Sequence, residues 1–393
     1  MIKSQQIAWL MWMAGAIFYA YQYILRVMPN IMMLDVMDKF HMDAITFGQF
    51  SGIYYIGYSV MHLPIGIMLD HYGPRKIMPL CILLTIVGTL PIIFAENAIY
   101  PIIGRFLVGV GSSAAILGTF KIIRLGFEEA KFTRMLSIAV SIGLVGAIYG
   151  GGPVNYMNEV YGYVSVITII AAAGVVLALV TYFLVPDIKA KASASIFGDV
   201  VEVISNSKVM TICILAGFMV GPMEGFADVW GTQFLKQTYG LDGPVAASLP
   251  SMIFIGMCFG GPALSFVAEK TGYFTAIIIA GIVMTTSFVL LLASEISVAT
   301  ITFVFAIVGV CCAYQIIAIY KASTYVREGL VGLTTALANM IIMIFGYFFH
   351  SSIGWVINAF NKEPDIAFTY GIAVIPACLL IGVIGFSYLA MKK

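Results

Sequence analysis

Charge is scarce in this sequence. Asp, Glu, Lys and Arg make up 10% of its 393 residues, against about 25% in a soluble domain, which excludes an ordinary water-facing surface. Twenty basic and nineteen acidic residues leave a formal charge of +1, and no basic run stands outside short loops, which argues against a nucleic-acid partner. Cysteine is sparse and lacks paired spacing. Cys81, Cys213, Cys258, Cys311, Cys312 and Cys378 each lie in an apolar stretch and read as small buried hydrophobes rather than a redox or metal set. The sequence offers no convergent nucleophile, metal set or glycine-rich phosphate loop, so neither an enzyme, a metal nor a cofactor is expected. Long polar segments are missing too, apart from one at about 186–208.

What remains is apolar: 61% of the residues are hydrophobic, the composition of an integral membrane protein. A bilayer core about 30 Å thick takes roughly 20 apolar residues per helix, because backbone polar groups find no water there and must bond internally. The sequence supplies twelve such stretches, at 8–34, 43–70, 76–95, 98–124, 132–157, 162–185, 209–236, 245–269, 273–293, 297–324, 330–358 and 366–390. The first is too long for a signal-peptide core and lacks a cleavage site, so it reads as structure. Basic residues cluster on the side of both termini, twelve against three, which places both termini in the cytoplasm and the protein in a cytoplasmic (inner) membrane.

The polar connection divides the sequence into an N-terminal six-helix bundle, 1–186, a cytoplasmic linker, 187–208, and a C-terminal six-helix bundle, 209–393. An offset near 200 aligns the halves. Ile56-Gly57 matches Ile255-Gly256, Asp70-His71-Tyr72-Gly73 matches Glu269-Lys270-Thr271-Gly272, and Phe120-Lys121 matches Tyr320-Lys321. Two parallel repeats account for this, and they place a solute site near the midplane. A monomer is expected, since each half completes the other, with lipid around it.

Gly66-Ile67-Met68-Leu69-Asp70-His71-Tyr72-Gly73-Pro74-Arg75-Lys76, between the second and third stretches, resembles the signature cytoplasmic loop of the major facilitator superfamily. Arg105-Phe106-Leu107-Val108-Gly109-Val110-Gly111 resembles its second motif, with Val108 where a polar residue is common. Gly146, Gly150, Gly151, Gly152 and Pro153 match its glycine and proline motif loosely. The resemblance spans essentially the whole sequence. It implies an all-α membrane protein of the major facilitator fold, twelve transmembrane helices in two parallel six-helix pseudo-repeats. It also implies that Asp70, Gly73, Arg75 and Lys76, with Glu269 as the second-half copy, gate the inside-closed arrangement. The plainer alternative is a loop whose charges only set orientation.

A charge at a helix centre costs about 2.5 to 3.5 kcal/mol on insertion scales, so buried charges need a cavity or a partner. In the first stretch Tyr19, Gln22, Tyr23 and Arg26 recur at i, i+3, i+4 and i+7, one helical face. A guanidinium grips a carboxylate or phosphate with two parallel bonds, and an arginine here is similar to organic-anion and organic-phosphate branches of the superfamily. The seventh stretch supplies Glu224 and Asp228 four residues apart, with Trp230 beyond. The repeat sets Arg26 opposite Glu224, either as a structural ion pair or as the two ends of a site for a zwitterion. Lys121 and Lys321 either face the cavity or snorkel to the cytoplasmic surface. Tyr320 is a further wall, and Gln315, Asn339 and Asn155 are lesser candidates. Arg105 serves helix packing or the coupling groups. Glu224, Asp228 and His350 are the candidate proton carriers.

These residues point to a secondary active transporter for a small polar solute, an amino acid, small peptide or organic anion, by alternating access and proton symport. The glycine-rich fifth stretch supports an alternative, a proton-coupled multidrug or metabolite efflux antiporter. A transport-dead membrane receptor is the alternative of a different class.

Overall fold

The computed structural model describes residues 5–128, 131–186, 196–293, 296–361 and 363–392, and among the described residues all regular structure is helical. In order these are α1 Gln5–Ile31, α2 Met33–Phe40, α3 Ala44–Tyr72, α4 Pro74–Thr89, α5 Pro91–Phe94, α6 Ile99–Gly126, α7 Phe132–Gly150 and α8 Gly152–Leu184. Then come α9 Ile196–Ser205, α10 Ser207–Gly217, a π-helical segment Gly221–Trp230, α11 Gly231–Tyr239, α12 Gly243–Ser248 and α13 Ser251–Thr271. α14 Tyr273–Ala293, α15 Val298–Cys312, α16 Tyr314–Ser323, a 3₁₀ turn Glu328–Leu330, α17 Val331–Ala359 and α18 Pro364–Met391 complete the chain.

Ten helical segments among the described residues are long and apolar enough to cross a membrane. One of them, Arg134–Leu184, runs 51 residues, far beyond one bilayer crossing. It is interrupted at Gly151 and again at Gly162, whose φ of 76° is not helical, so it makes two crossings. α1, 27 residues long, also has spanning length and carries the Gln22–Arg26 face. With it the crossings among the described residues number twelve.

The chain divides into two compact units, residues 1–42 with 53–193, and 43–52 with 194–393. Residues 187–195 of the expected linker lie outside the described residues; the remainder begins with a ten-residue helix, α9. Arg327 pins that helix, donating from Nη2 to Asp199 at 2.6 Å and from Nε to Glu202 at 3.1 Å. Hydrogen bonding to Glu202, with the charges of both carboxylates, raises the guanidinium pKa above its ordinary value.

The repeat is visible in the packing inside each unit. In the first, α4 packs against α6 and α8; in the second, α14 packs against α15 and α18. At one crossing, Gly57 of α3 lies on the carbonyl of Phe106 and Gly109 of α6 lies on the carbonyl of Tyr54. At the other, Gly256 of α13 lies on the carbonyl of Ala306 and Gly309 of α15 lies on that of Ile253. The four positions correspond at an offset of 199 or 200. At all four a Cβ would sit on a neighbour's backbone oxygen, so only glycine allows the helices to touch. The turns repeat as well: Gly73 and Gly272, again 199 apart, have φ of 81° and 92°, a conformation L side chains rarely adopt.

Candidate functional site

Pro29 sits inside α1 and has no N–H, so the carbonyl of Leu25 loses its helical donor. Arg105 of α6 replaces it. Its Nη1 donates to the Leu25 carbonyl at 2.6 Å and its Nη2 to the Arg26 carbonyl at 2.8 Å. Arg105 is buried, and its guanidinium lies 4.8 Å from the centre of the Tyr54 ring. The sequence reading gave Arg105 to helix packing or to the coupling groups; the structure bonds it to the α1 backbone at Leu25 and Arg26.

Arg26 is itself only 6% exposed. Its guanidinium lies between two aromatic faces, 5.0 Å from Tyr23 and 5.2 Å from Tyr55. An arginine there is held by weak cation–π attraction. Gln22 accepts a hydrogen bond from the Tyr54 hydroxyl at 2.7 Å, and Tyr19 packs edge-on to Tyr23 at 5.2 Å. The predicted α1 face therefore forms one polar and aromatic cluster with α3 and α6. Glycines 143, 146 and 150 of α7 seat Tyr19, Ala20 and Ile24 of α1, so the glycine-rich fifth crossing serves close packing.

In the second unit the seventh crossing is broken. α10 stops at Gly217, and the chain resumes at Gly221-Pro222 in a ten-residue π-helix. Tyr314 of α16 donates its hydroxyl to the Ala216 carbonyl at 2.7 Å just before the break, as Arg105 donates to the carbonyl that Pro29 leaves without an amide in α1. Glu224, Asp228 and Trp230 all lie in the π-helix and are fully buried. π-Helices are rare and concentrate at functional sites. The Trp230 ring meets Phe47 at 5.8 Å and Phe368 at 6.5 Å, while its indole N–H has no acceptor among the described residues. His350 of α17, also buried, brings Nε2 to within 2.5 Å of the Glu224 carbonyl. Gln315 is buried.

The lysines part company. Lys121 reaches the C-terminal end of α3 and pairs with Asp70 at 2.5 Å. Arg75, beside Asp70 in the sequence, lies over the Tyr182 ring at 5.0 Å. Lys76 and Glu269 are exposed. Lys321 lies near the rings of Phe274 and Tyr325, at 5.6 and 4.8 Å, and Tyr320, 52% exposed, packs tilted against Tyr273. Asn155 donates to Glu159 at 2.9 Å, and Asn339 is half-buried.

One buried group was missed. His62 of α3 is 4% exposed, its ring lies 5.2 Å from that of Tyr58, and its Nδ1 has no hydrogen-bond partner among the described residues. Tyr54, Tyr58 and His62 recur at i, i+4 and i+8, a signal the sequence carried.

Comparison with known proteins gives a consistent result. The family model described as Major Facilitator Superfamily matches residues 11–350. An uncharacterized transporter of Buchnera aphidicola, BU466, is 26% identical over 174 residues, 42% of this chain and 43% of that protein. The uncharacterized transporter YybO of Bacillus subtilis is 27% identical over 109 residues, 28% of this chain and 25% of that protein. The matched stretch thus spans less than half the length of either relative. Among solved structures, a bacterial homolog of the human lysosomal transporter Spinster, inward-facing and occupied, superposes with TM-score 0.73 at 16% identity, covering 97% of this chain and 96% of that one. A mutant of the nucleoside transporter NupG gives 0.77 at 16% identity, covering 98% and 100%. At such identity these show the shared fold.

Proposed function

The chain belongs to the Major Facilitator Superfamily, and from that premise we propose that it is a secondary active transporter of a small polar solute bearing an anionic group. A zwitterion such as an amino acid or small peptide, or an organic anion, suits the side chains best. Transport is by alternating access of the two six-helix halves, 1–186 and 209–393, and is coupled to inward proton movement. The protein acts as a monomer in the inner membrane, with both termini in the cytoplasm.

The observation that carries this reading is Arg26. A guanidinium 6% exposed within the first crossing is costly in a bilayer, and its fork of donors matches the two oxygens of a carboxylate or phosphate. Glu224 and Asp228 supply the opposite charge, for a solute's ammonium group or for the coupled proton, with His350 as a further proton carrier. The Trp230 N–H, lacking an acceptor among the described residues, suits a solute oxygen. Tyr19, Gln22, Tyr23, Gln315 and Tyr320 are proposed walls. Lys121, bound to Asp70, fits the cytoplasmic gate better than the solute site, together with Gly73, Arg75, Lys76 and Glu269.

The test is uptake into proteoliposomes driven by an imposed inward proton gradient, screened over amino acids, dipeptides and organic anions. Accumulation of one class that collapses with an uncoupler is the expected result. Uptake of none, with export of lipophilic cations instead, would overturn the substrate and the direction.

A further inference from the structure

We propose that His350 is a positioning residue that holds the segment Gly221–Trp230 in its π register and thereby sets the bearing of Glu224 and Asp228. Its geometry stands alone; its consequence for transport rests on reading those carboxylates as working groups.

His350 Nε2 meets the backbone oxygen of Glu224. A carbonyl oxygen only accepts, so Nε2 carries the hydrogen. In an α-helix that oxygen would serve the amide of Asp228; in the π register it serves the amide one residue further on. The amide of Gly231 bonds the Phe226 oxygen in this i to i+5 fashion at the end of the segment. A side-chain donor inserted into the helical ladder is a recognised cause of local distortion, and here it engages a carbonyl within the distorted stretch. The stretch of α17 backbone that carries the imidazole is closely packed. A Cβ on Gly52 would stand 3.1 Å from the His350 Cβ, and the carbonyl of His350 lies against Gly48. Phe349 beside it fills the faces of Gly221 and Gly225, so the π segment rests on the turn of α17 that presents His350. Gain or loss of the extra residue turns the downstream part of the helix by about 100° and moves it about 1.5 Å along the axis. Because Asp228 lies four residues beyond Glu224, such a change re-aims one carboxylate against the other.

The test uses Glu224→Cys in the full chain and follows its labelling by a water-soluble methanethiosulfonate, with His350 intact, as His350→Gln and as His350→Phe. Gln retains an N–H at the distance of Nε2; Phe retains only the ring. The expected result is an unchanged rate with Gln and a change of about fivefold or more with Phe. Equal rates in all three, or Gln behaving as Phe, overturns the proposal. If the Phe variant fails to insert, ¹⁵N-histidine spectra of the unaltered protein decide. The four histidines are assigned by substituting the other three, and a bare Nε2 at His350 overturns it. The two readings fail separately. Normal transport by Glu224→Gln removes the carboxylate role and leaves the labelling result standing, whereas equal labelling beside an inactive Glu224→Gln removes the positioning role alone.

Discussion

Arg105 donates at 2.6 Å to the carbonyl of Leu25, the oxygen that Pro29 leaves without a helical donor. The pairing makes a double-mutant cycle possible. Arg105→Ala strands a buried carbonyl and should cost about 1–3 kcal/mol. Pro29→Ala restores an N–H four residues beyond Leu25, so the Arg105→Ala loss should shrink by about 1 kcal/mol or more in that background. Apparent unfolding temperatures in detergent for the four proteins measure this; strict additivity would show that Arg105 does not stand in for the missing amide.

The glycine crossings predict a position-by-position contrast. Gly260 and Gly261 are neighbours in α13, yet a Cβ on Gly260 would stand 2.5 Å from the Val310 oxygen while one on Gly261 meets nothing nearer than 3.8 Å. Gly260→Ala, like Gly109→Ala and Gly309→Ala, should reduce recovery of monodisperse protein. Gly261→Ala should match the parent or gain up to about 1 kcal/mol from helix propensity. Size-exclusion profiles after gentle heating check both, and equal tolerance of the four changes would contradict the close approach.

The crossings and the repeat were legible because they rest on run length and on residues that recur at a fixed offset. The α1 face was legible because 3.6-residue periodicity puts Gln22, Tyr23 and Arg26 together. The π-helix was not: a four-residue spacing is compatible with either register, and nothing in the sequence between Glu224 and Asp228 says which one the backbone takes. Nor was the partner of Asp70, because Lys121 lies 51 residues away and helix packing alone brings it near. The Arg105 clamp depends on a proline 76 residues upstream, a relation between a missing amide and a distant donor that no periodicity encodes.

Asp70 and Lys121 are 57% and 16% exposed in their side chains, so their pairing should contribute at most about 1 kcal/mol to stability. Its proposed value is to one conformation. Asp70→Asn and Lys121→Met should each lower the rate of uptake with little change in unfolding temperature. The exchange Asp70→Lys with Lys121→Asp should recover a substantial part of the rate. Single variants that transport normally, or an exchange no better than either, would remove the pair from gating.

Glu224→Gln keeps the shape of the side chain and removes its titration. Proton-driven accumulation should be lost while exchange of solute across proteoliposomes at equal pH continues. Accumulation that survives unaltered would pass the proton to Asp228 or His350.

Arg26 separates charge from grip. Lysine keeps the charge but delivers it as a point, without two parallel donors. It also alters the cation–π contacts that the guanidinium makes with the Tyr23 and Tyr55 rings. Arg26→Lys should therefore raise the KM for uptake by about tenfold, the equivalent of about 1.4 kcal/mol, at a smaller change in kcat. Arg26→Ala should abolish accumulation while folded protein still reaches the membrane in parental amounts, because Arg105 bonds the backbone of residue 26 and not its side chain. Uptake by Arg26→Ala at the parental rate would show that the guanidinium never touches the solute.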